Sequence, residues 1–106
     1  MAKLIYEILL PKNKAQLEGF FLQLFKSKQK HLIIKIINEY INLDDLIETI
    51  EKYRKNIEQY QKNKSIVILY EAYERIPDFI PVAPTEEEAL DIIEFEEIER
   101  DLLFDD

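Results

Sequence analysis

Few side chains in this sequence could do covalent or acid–base chemistry. There is one histidine, His31, and no cysteine, which excludes thiol nucleophiles, disulfides and thiolate metal sites. A histidine that acts as a general base needs a partner, and Ser27 and Ser65 lie outside any G-x-S-x-G pattern. Because Gly19 is the one glycine, a glycine-rich phosphate loop is excluded too. We therefore predict no catalytic residue, no metal and no cofactor, and we expect His31 at the surface.

The acidic residues are concentrated near the C-terminus. The net charge is −8, yet residues 85–106 hold eleven acidic residues and one arginine, whereas residues 1–84 hold thirteen basic and eleven acidic residues. Such an acidic segment repels phosphate backbones, so we do not expect nucleic acid as a partner. The lysines of the loop 26–30 could contact RNA or an acidic protein, although a solvated turn is the more common role for such a loop.

The N-terminus and the longest apolar runs bear on location. No long apolar segment or cleavage site follows Met1, so a signal peptide is not expected. No apolar run approaches the roughly 18 residues that a membrane span needs. We therefore expect a cytoplasmic protein that has no membrane partner.

Apolar segments rich in β-branched residues predict the strands. The first runs from Lys3 to Leu10. The segments His31–Asn38 and Ser65–Tyr70 are apolar on both faces, as in central strands that are covered on both sides. Prolines around Phe79–Val82 confine a fourth, short strand to a sheet edge.

Three N-cap residues predict the helices that separate the strands. Asn13 precedes a helix with an apolar stripe from Leu17 to Phe25. Asn42 opens a second helix, which we expect to continue to about Lys62. Thr85 begins a capping box with a glutamate three residues later and opens an acidic helix over residues 85–104. Strands alternating with helices indicate parallel neighbours joined by right-handed crossovers.

These elements predict an α/β fold, in which helices pack on a small mixed sheet of three or four strands. We expect one domain over residues 1–106. The last helix carries apolar residues among acids, and two interpretations stay open: the whole helix packs on its own domain, or its second half holds a partner or a twin subunit. The candidate partner-binding residues are Glu94, Phe95, Glu97, Ile98, Arg100 and Leu102.

The loop from Tyr40 to Leu46 resembles a loop of the STAS (anti-sigma-factor-antagonist) family of bacterial regulators. That loop reads Y/F-I-D-S-S-G-L in the family and joins a strand to a helix. In an alignment without gaps, the family's switch loop corresponds here to Asn42, Leu43, Asp44 and Asp45. Leu43 falls on the serine that is phosphorylated in many members, so the usual phosphorylation switch cannot operate here. Asp44 and Asp45 either mimic a fixed negative charge or cap the helix, and capping is the more common role.

Two further segments extend the resemblance to roughly residues 31–103. The strand Ser65–Leu69 follows at about the family's distance, and Pro84–Leu90 is similar to the P-T-x-x-E-A segment that opens the family's last helix. The segment between Tyr70 and Pro84 is too short for the helix that the family has there. The resemblance implies a reduced STAS-like topology and a non-catalytic regulatory domain whose partner is an anti-sigma factor or a kinase-like regulator.

Some short chains that this sequence resembles are labelled ribonuclease Z. A zinc-dependent nuclease of that type needs an H-x-H-x-D-H cluster and further histidines, whereas this chain has His31 alone. The label is therefore untenable for this chain by itself. Two other functions stay open beside the regulatory one, namely an accessory protein or subunit linked to RNA processing and a homodimeric structural protein.

Overall fold

The computed structural model describes residues 4–27, 30–71 and 75–104. Lys3 of the first predicted strand, with Lys28 and Gln29 of the basic loop, lies outside the described residues. The elements, in chain order, are β1 (Tyr6–Leu9), α1 (Lys14–Leu22), a short 3₁₀ helix (Leu24–Ser27), β2 (His31–Lys35), α2 (Leu43–Lys52), α3 (Arg54–Gln61), β3 (Ile66–Leu69), β4 (Val82–Ala83) and α4 (Glu86–Phe104).

The strands form one four-stranded sheet in the order β1-β2-β3-β4. The predicted α/β architecture is confirmed. All three strand pairs are parallel, which refines the mixed sheet expected from the sequence. For β4 the reason is the length of the connection, because residues 70–81 supply the dozen or so residues that a return to the same end of the sheet requires. β4 lies at the sheet edge, as its flanking prolines predict. It comprises Val82–Ala83 and therefore begins three residues later than the predicted strand Phe79–Val82.

Alternating side chains of β2 and β3 divide the core between the two faces of the sheet. Leu32 and Ile68 belong to a large apolar cluster that α1, α2 and α3 cover. Ile33 and Val67 point to the other face and form a smaller cluster with residues of α4. Both strands are therefore buried on both sides, as their near-continuous apolar sequences predict.

The predicted helix from Asn42 to Lys62 is interrupted at Tyr53. This residue leaves helical geometry (φ −103°, ψ 21°) and separates α2 from α3. Its ring lies 6.0 Å from the ring of Phe21 in α1. Ile50 before the break and Ile57 after it are both fully buried. Residues seven apart share one face of a helix, so both halves present an apolar side chain to the core. No glycine or proline marks the position of the break in the sequence.

Candidate interaction surfaces

The beginning of α4 is fixed by its own first turn. The Thr85 hydroxyl accepts a hydrogen bond from the backbone N–H of Glu88 at 3.2 Å, which confirms the predicted cap. Acidic residues occupy the first turn, where the helix dipole favours negative charge. Ala89 and Ile93 are completely buried against the sheet. Ala89 and Ile93 therefore mark the side of α4 that faces the sheet, and the residues on the opposite side of the helix face solvent.

A polar cluster attaches the second half of α4 to His31, the first residue of β2, and to Ser65, which immediately precedes β3. Glu97 Oε1 lies 3.4 Å from His31 Nε2 and 2.9 Å from Arg100 Nη2. Arg100 also donates to the Ser65 hydroxyl at 3.0 Å and to the backbone carbonyl of Gln61 at 3.4 Å. These contacts connect α4 with the sheet beyond the apolar cluster, so they fix the rotation of the helix about its axis.

His31 is a buried member of this cluster, and the prediction of a surface histidine is wrong. Its side chain is 2% exposed, and its Nδ1 accepts a hydrogen bond from the backbone N–H of Ser65 at 3.0 Å. Nδ1 therefore carries no proton, and in the neutral ring the proton is on Nε2, facing Glu97. His31 begins the central strand β2, and α4 packs over it. The sequence alone does not show where α4 lies on the sheet.

The environment of the cluster shifts two pKa values. Burial lowers the pKa of His31, an effect that the Glu97 carboxylate opposes and the charges of Lys64 and Arg100 reinforce. Burial of Glu97 disfavours its ionised form, but the hydrogen bond from Arg100 and the positive charges of Arg100 and Lys64 outweigh this effect. The pKa of Glu97 therefore lies below its ordinary value. The neutral imidazole beside an ionised carboxylate is consequently the favoured state of the cluster.

The outward face of α4 carries an apolar stripe of Phe95, Ile98 and Leu102, which we call the α4 stripe. These side chains are 62%, 53% and 70% exposed, respectively. Their spacing of three and four residues places them on one side of the helix. Glu94 is exposed beside them. Four of the six candidate partner-binding residues therefore share one surface.

The other two candidate residues, Glu97 and Arg100, do not belong to that surface. Both are half-buried or more and take part in the polar cluster with His31. On a helix of 3.6 residues per turn they fall on the flank that meets the sheet. Their role in the structure is to orient α4.

Residues 42–45, which the sequence predicts to correspond to the STAS switch loop, form the N-cap and first turn of α2. The Asn42 side chain accepts from the backbone N–H of Asp45 at 2.8 Å, which confirms its predicted capping role. Leu43 is half-buried and packs against the larger core cluster. Asp44 forms an ion pair with Arg75 at 3.2 Å, and Asp45 lies 3.9 Å from Lys14. Arg75 and Lys14 thus partly neutralise the charges of Asp44 and Asp45, and the Leu43 side chain contributes to the packing of the core.

A groove of about 540 Å³ lies between the end of α1, the 3₁₀ helix and α3. The sequence pattern does not predict this groove, because its periodicity places Phe25 in the buried stripe of a longer helix. Instead α1 ends at Leu22, and Leu22 and Phe25 are exposed, with Phe25 62% exposed. Lys55 and Lys64 line the groove, as does Tyr60, whose pKa is raised to about 12 by burial. Tyr60 is therefore protonated near neutral pH.

Within the described part of the chain, no group of three or more histidine or acidic side chains is arranged to hold a metal ion. None of the described helices is both long and apolar enough to cross a membrane. Comparisons with protein-family models, with curated proteins and with solved structures find no match to this chain.

Proposed function

We propose that this chain is a non-catalytic regulatory domain of the cytoplasm, which acts by binding a protein partner through the α4 stripe. The observation that carries the proposal is the exposure of Phe95, Ile98 and Leu102 on a helix whose opposite side is anchored to the sheet. Contiguous exposed apolar side chains with a polar rim are typical of protein-binding surfaces. An amphipathic helix face that docks in a groove is a common mode of recognition.

The polar cluster supports the non-catalytic part of the proposal. His31 interacts with the backbone N–H of Ser65, and the Ser65 hydroxyl accepts from Arg100. This arrangement does not generate a serine nucleophile, which would need its hydroxyl hydrogen-bonded to the histidine. Both side chains are also buried away from solvent.

The resemblance to STAS regulators supports the regulatory part. It favours an anti-sigma factor or a kinase-like regulator as the partner. Because Leu43 has no hydroxyl group, regulation would depend on binding or on the abundance of the domain. The acids flanking the α4 stripe favour a partner whose apolar groove has a basic rim.

Comparative affinity capture from the native cytoplasm tests the proposal. The double variant Phe95→Ser/Leu102→Ser removes the stripe, and Phe25→Ser is the matched control, because Phe25 and Phe95 are equally exposed at 62%. We expect the wild type and Phe25→Ser to recover the same protein, and the double variant to lose it while its circular dichroism stays unchanged. Equal recovery by all three proteins, or no recovery by the wild type, would contradict the proposal.

Binding to structured RNA distinguishes the RNA-processing alternative. At about 150 mM salt we expect no measurable affinity, because the net charge of −8 opposes contact with phosphates. Micromolar binding that weakens when Lys55 and Lys64 are both changed to glutamate would favour the RNA-linked role instead.

A further inference from the structure

The outer edge of β1 is the most exposed apolar part of the described sheet. β1 pairs with β2 on one side, and no described strand lies on its other side. Ile5, Tyr6, Ile8 and Leu10 are all exposed, with Ile8 at 41%. Strands of parallel sheets are normally covered on both faces, so this exposure is unusual.

The backbone of β1 is ready to pair along the open edge. The backbone N–H of His31 donates to the carbonyl of Ile5 at 2.9 Å, so Ile5 turns toward β2. Backbone groups alternate in direction along a strand, which leaves the N–H and C=O groups of Tyr6 and Ile8 facing the open edge. Proline and lysine residues at a sheet edge discourage pairing with another chain, and residues 4–10 contain neither. The opposite edge differs, because β4 has only two residues and is flanked by Pro81 and Pro84.

The charges near the β1 edge favour a second copy of this chain as the occupant. Glu7 is the one charged residue within residues 4–10, and its carboxylate lies 3.5 Å from Lys30 Nζ. The charges of residues 4–10 are therefore balanced. Glu86 of α4 adds one carboxylate beside the edge, where it accepts a hydrogen bond from the Tyr6 hydroxyl at 3.3 Å. The α4 stripe differs, because α4 holds nine acidic residues and one arginine and would repel another α4.

We propose that two copies pair through their β1 strands, antiparallel, about a two-fold axis at Ile8, so that their sheets become one continuous sheet. In this register Ile8 lies opposite Ile8 of the partner subunit, and Tyr6 lies opposite Leu10 of the partner subunit. These apolar side chains share one face of the sheet, where cross-strand pairs are stabilising. An axis at Glu7 would place two carboxylates directly opposite each other, which is unfavourable.

The pairing has a geometric consequence at Ile8 that disulfide trapping can measure. Residues that exchange two hydrogen bonds across antiparallel strands have Cα atoms about 5.5 Å apart, within the range that a disulfide spans. The natural chain has no cysteine, so it gives no background. We expect Ile8→Cys to form a disulfide-linked dimer under mild oxidation at least tenfold faster than Phe25→Cys, an exposed control outside the edge. Equal rates for the two variants would overturn the proposed register.

Sedimentation equilibrium tests the dimer itself. We expect the wild type to reach the dimer mass at micromolar to millimolar concentrations, and Ile8→Lys to remain a folded monomer, because Ile8 is partly exposed and contributes little to the core. A wild type that stays monomeric throughout, or an Ile8→Lys variant that dimerises equally well, would overturn the proposal. The stripe variant Phe95→Ser/Leu102→Ser should still dimerise. Loss of dimerisation and loss of partner binding can therefore be observed independently of each other.

Discussion

Acidification should destabilise this protein because His31 is buried in its neutral form. The pKa of His31 is lowered by burial, whereas in the unfolded chain the imidazole titrates near 6.5. Below that pH the unfolded chain takes up a proton that the folded protein binds less readily, so the free energy of unfolding falls. This contribution is complete above about pH 6.5 and is lost as the pH falls toward the pKa of the folded state.

The size of the effect is limited by the single proton involved. One proton of difference between the unfolded and folded states changes the free energy of unfolding by at most about 1.4 kcal/mol for each pH unit. Glu97 adds to the loss only below its ordinary pKa of 4.5, because its pKa in the folded protein is lower still. The window between these two values therefore reports mainly on His31 within the cluster.

Urea denaturation followed by circular dichroism at a series of pH values between 7.5 and 5 measures this slope. The control is His31→Asn, whose side-chain oxygen can still accept from the backbone N–H of Ser65 but does not titrate. We expect the wild type to lose stability on acidification more steeply than the variant. Equal slopes in the two proteins, or a wild type that becomes more stable as the pH falls, would show that burial of neutral His31 does not cause the acid sensitivity.

Three substitutions test other parts of the fold, each by urea denaturation. Gly19→Ala should raise the free energy of unfolding by about 0.5–1 kcal/mol, because the added Cβ meets no atom within 4 Å in the middle of α1; destabilisation would contradict this assignment. Asn42→Ala should lower it by about 0.5–2 kcal/mol through loss of the α2 cap, and an unchanged value would contradict the capping role. Arg100→Ala should lower it by about 2–3 kcal/mol, because a half-buried Glu97 loses its partner; a loss typical of a surface arginine would show that the cluster does not anchor α4.

Local signals in the sequence were sufficient for the caps and the central strands. Asn13, Asn42 and Thr85 each accept the backbone hydrogen bond that their position predicts. The β-branched segments at Ile33 and Val67 are buried on the sheet, as expected. These features depend on residues close together in the chain, which is why composition and spacing suffice to find them.

Features that depend on contacts between residues far apart in the chain could not be predicted from local sequence patterns. His31 is buried because α4 passes over the first residue of β2, and the helix break at Tyr53 occurs where that ring packs near Phe21. Glu97 and Arg100 face the sheet because they contact His31 and Ser65 there. These partners lie more than thirty residues earlier in the chain, so local sequence patterns do not reveal the contacts. The STAS resemblance stays a prediction that these contacts do not test.

Site-directed photo-crosslinking in cells tests most directly whether the α4 stripe binds a protein. A photoreactive phenylalanine analogue at position 95 is compared with the same analogue at position 25, since the two native phenylalanines are equally exposed. We expect a discrete cross-linked protein partner from position 95 and none from position 25. Cross-linking from position 25 alone, or from neither position in cells that contain the folded protein, would contradict it.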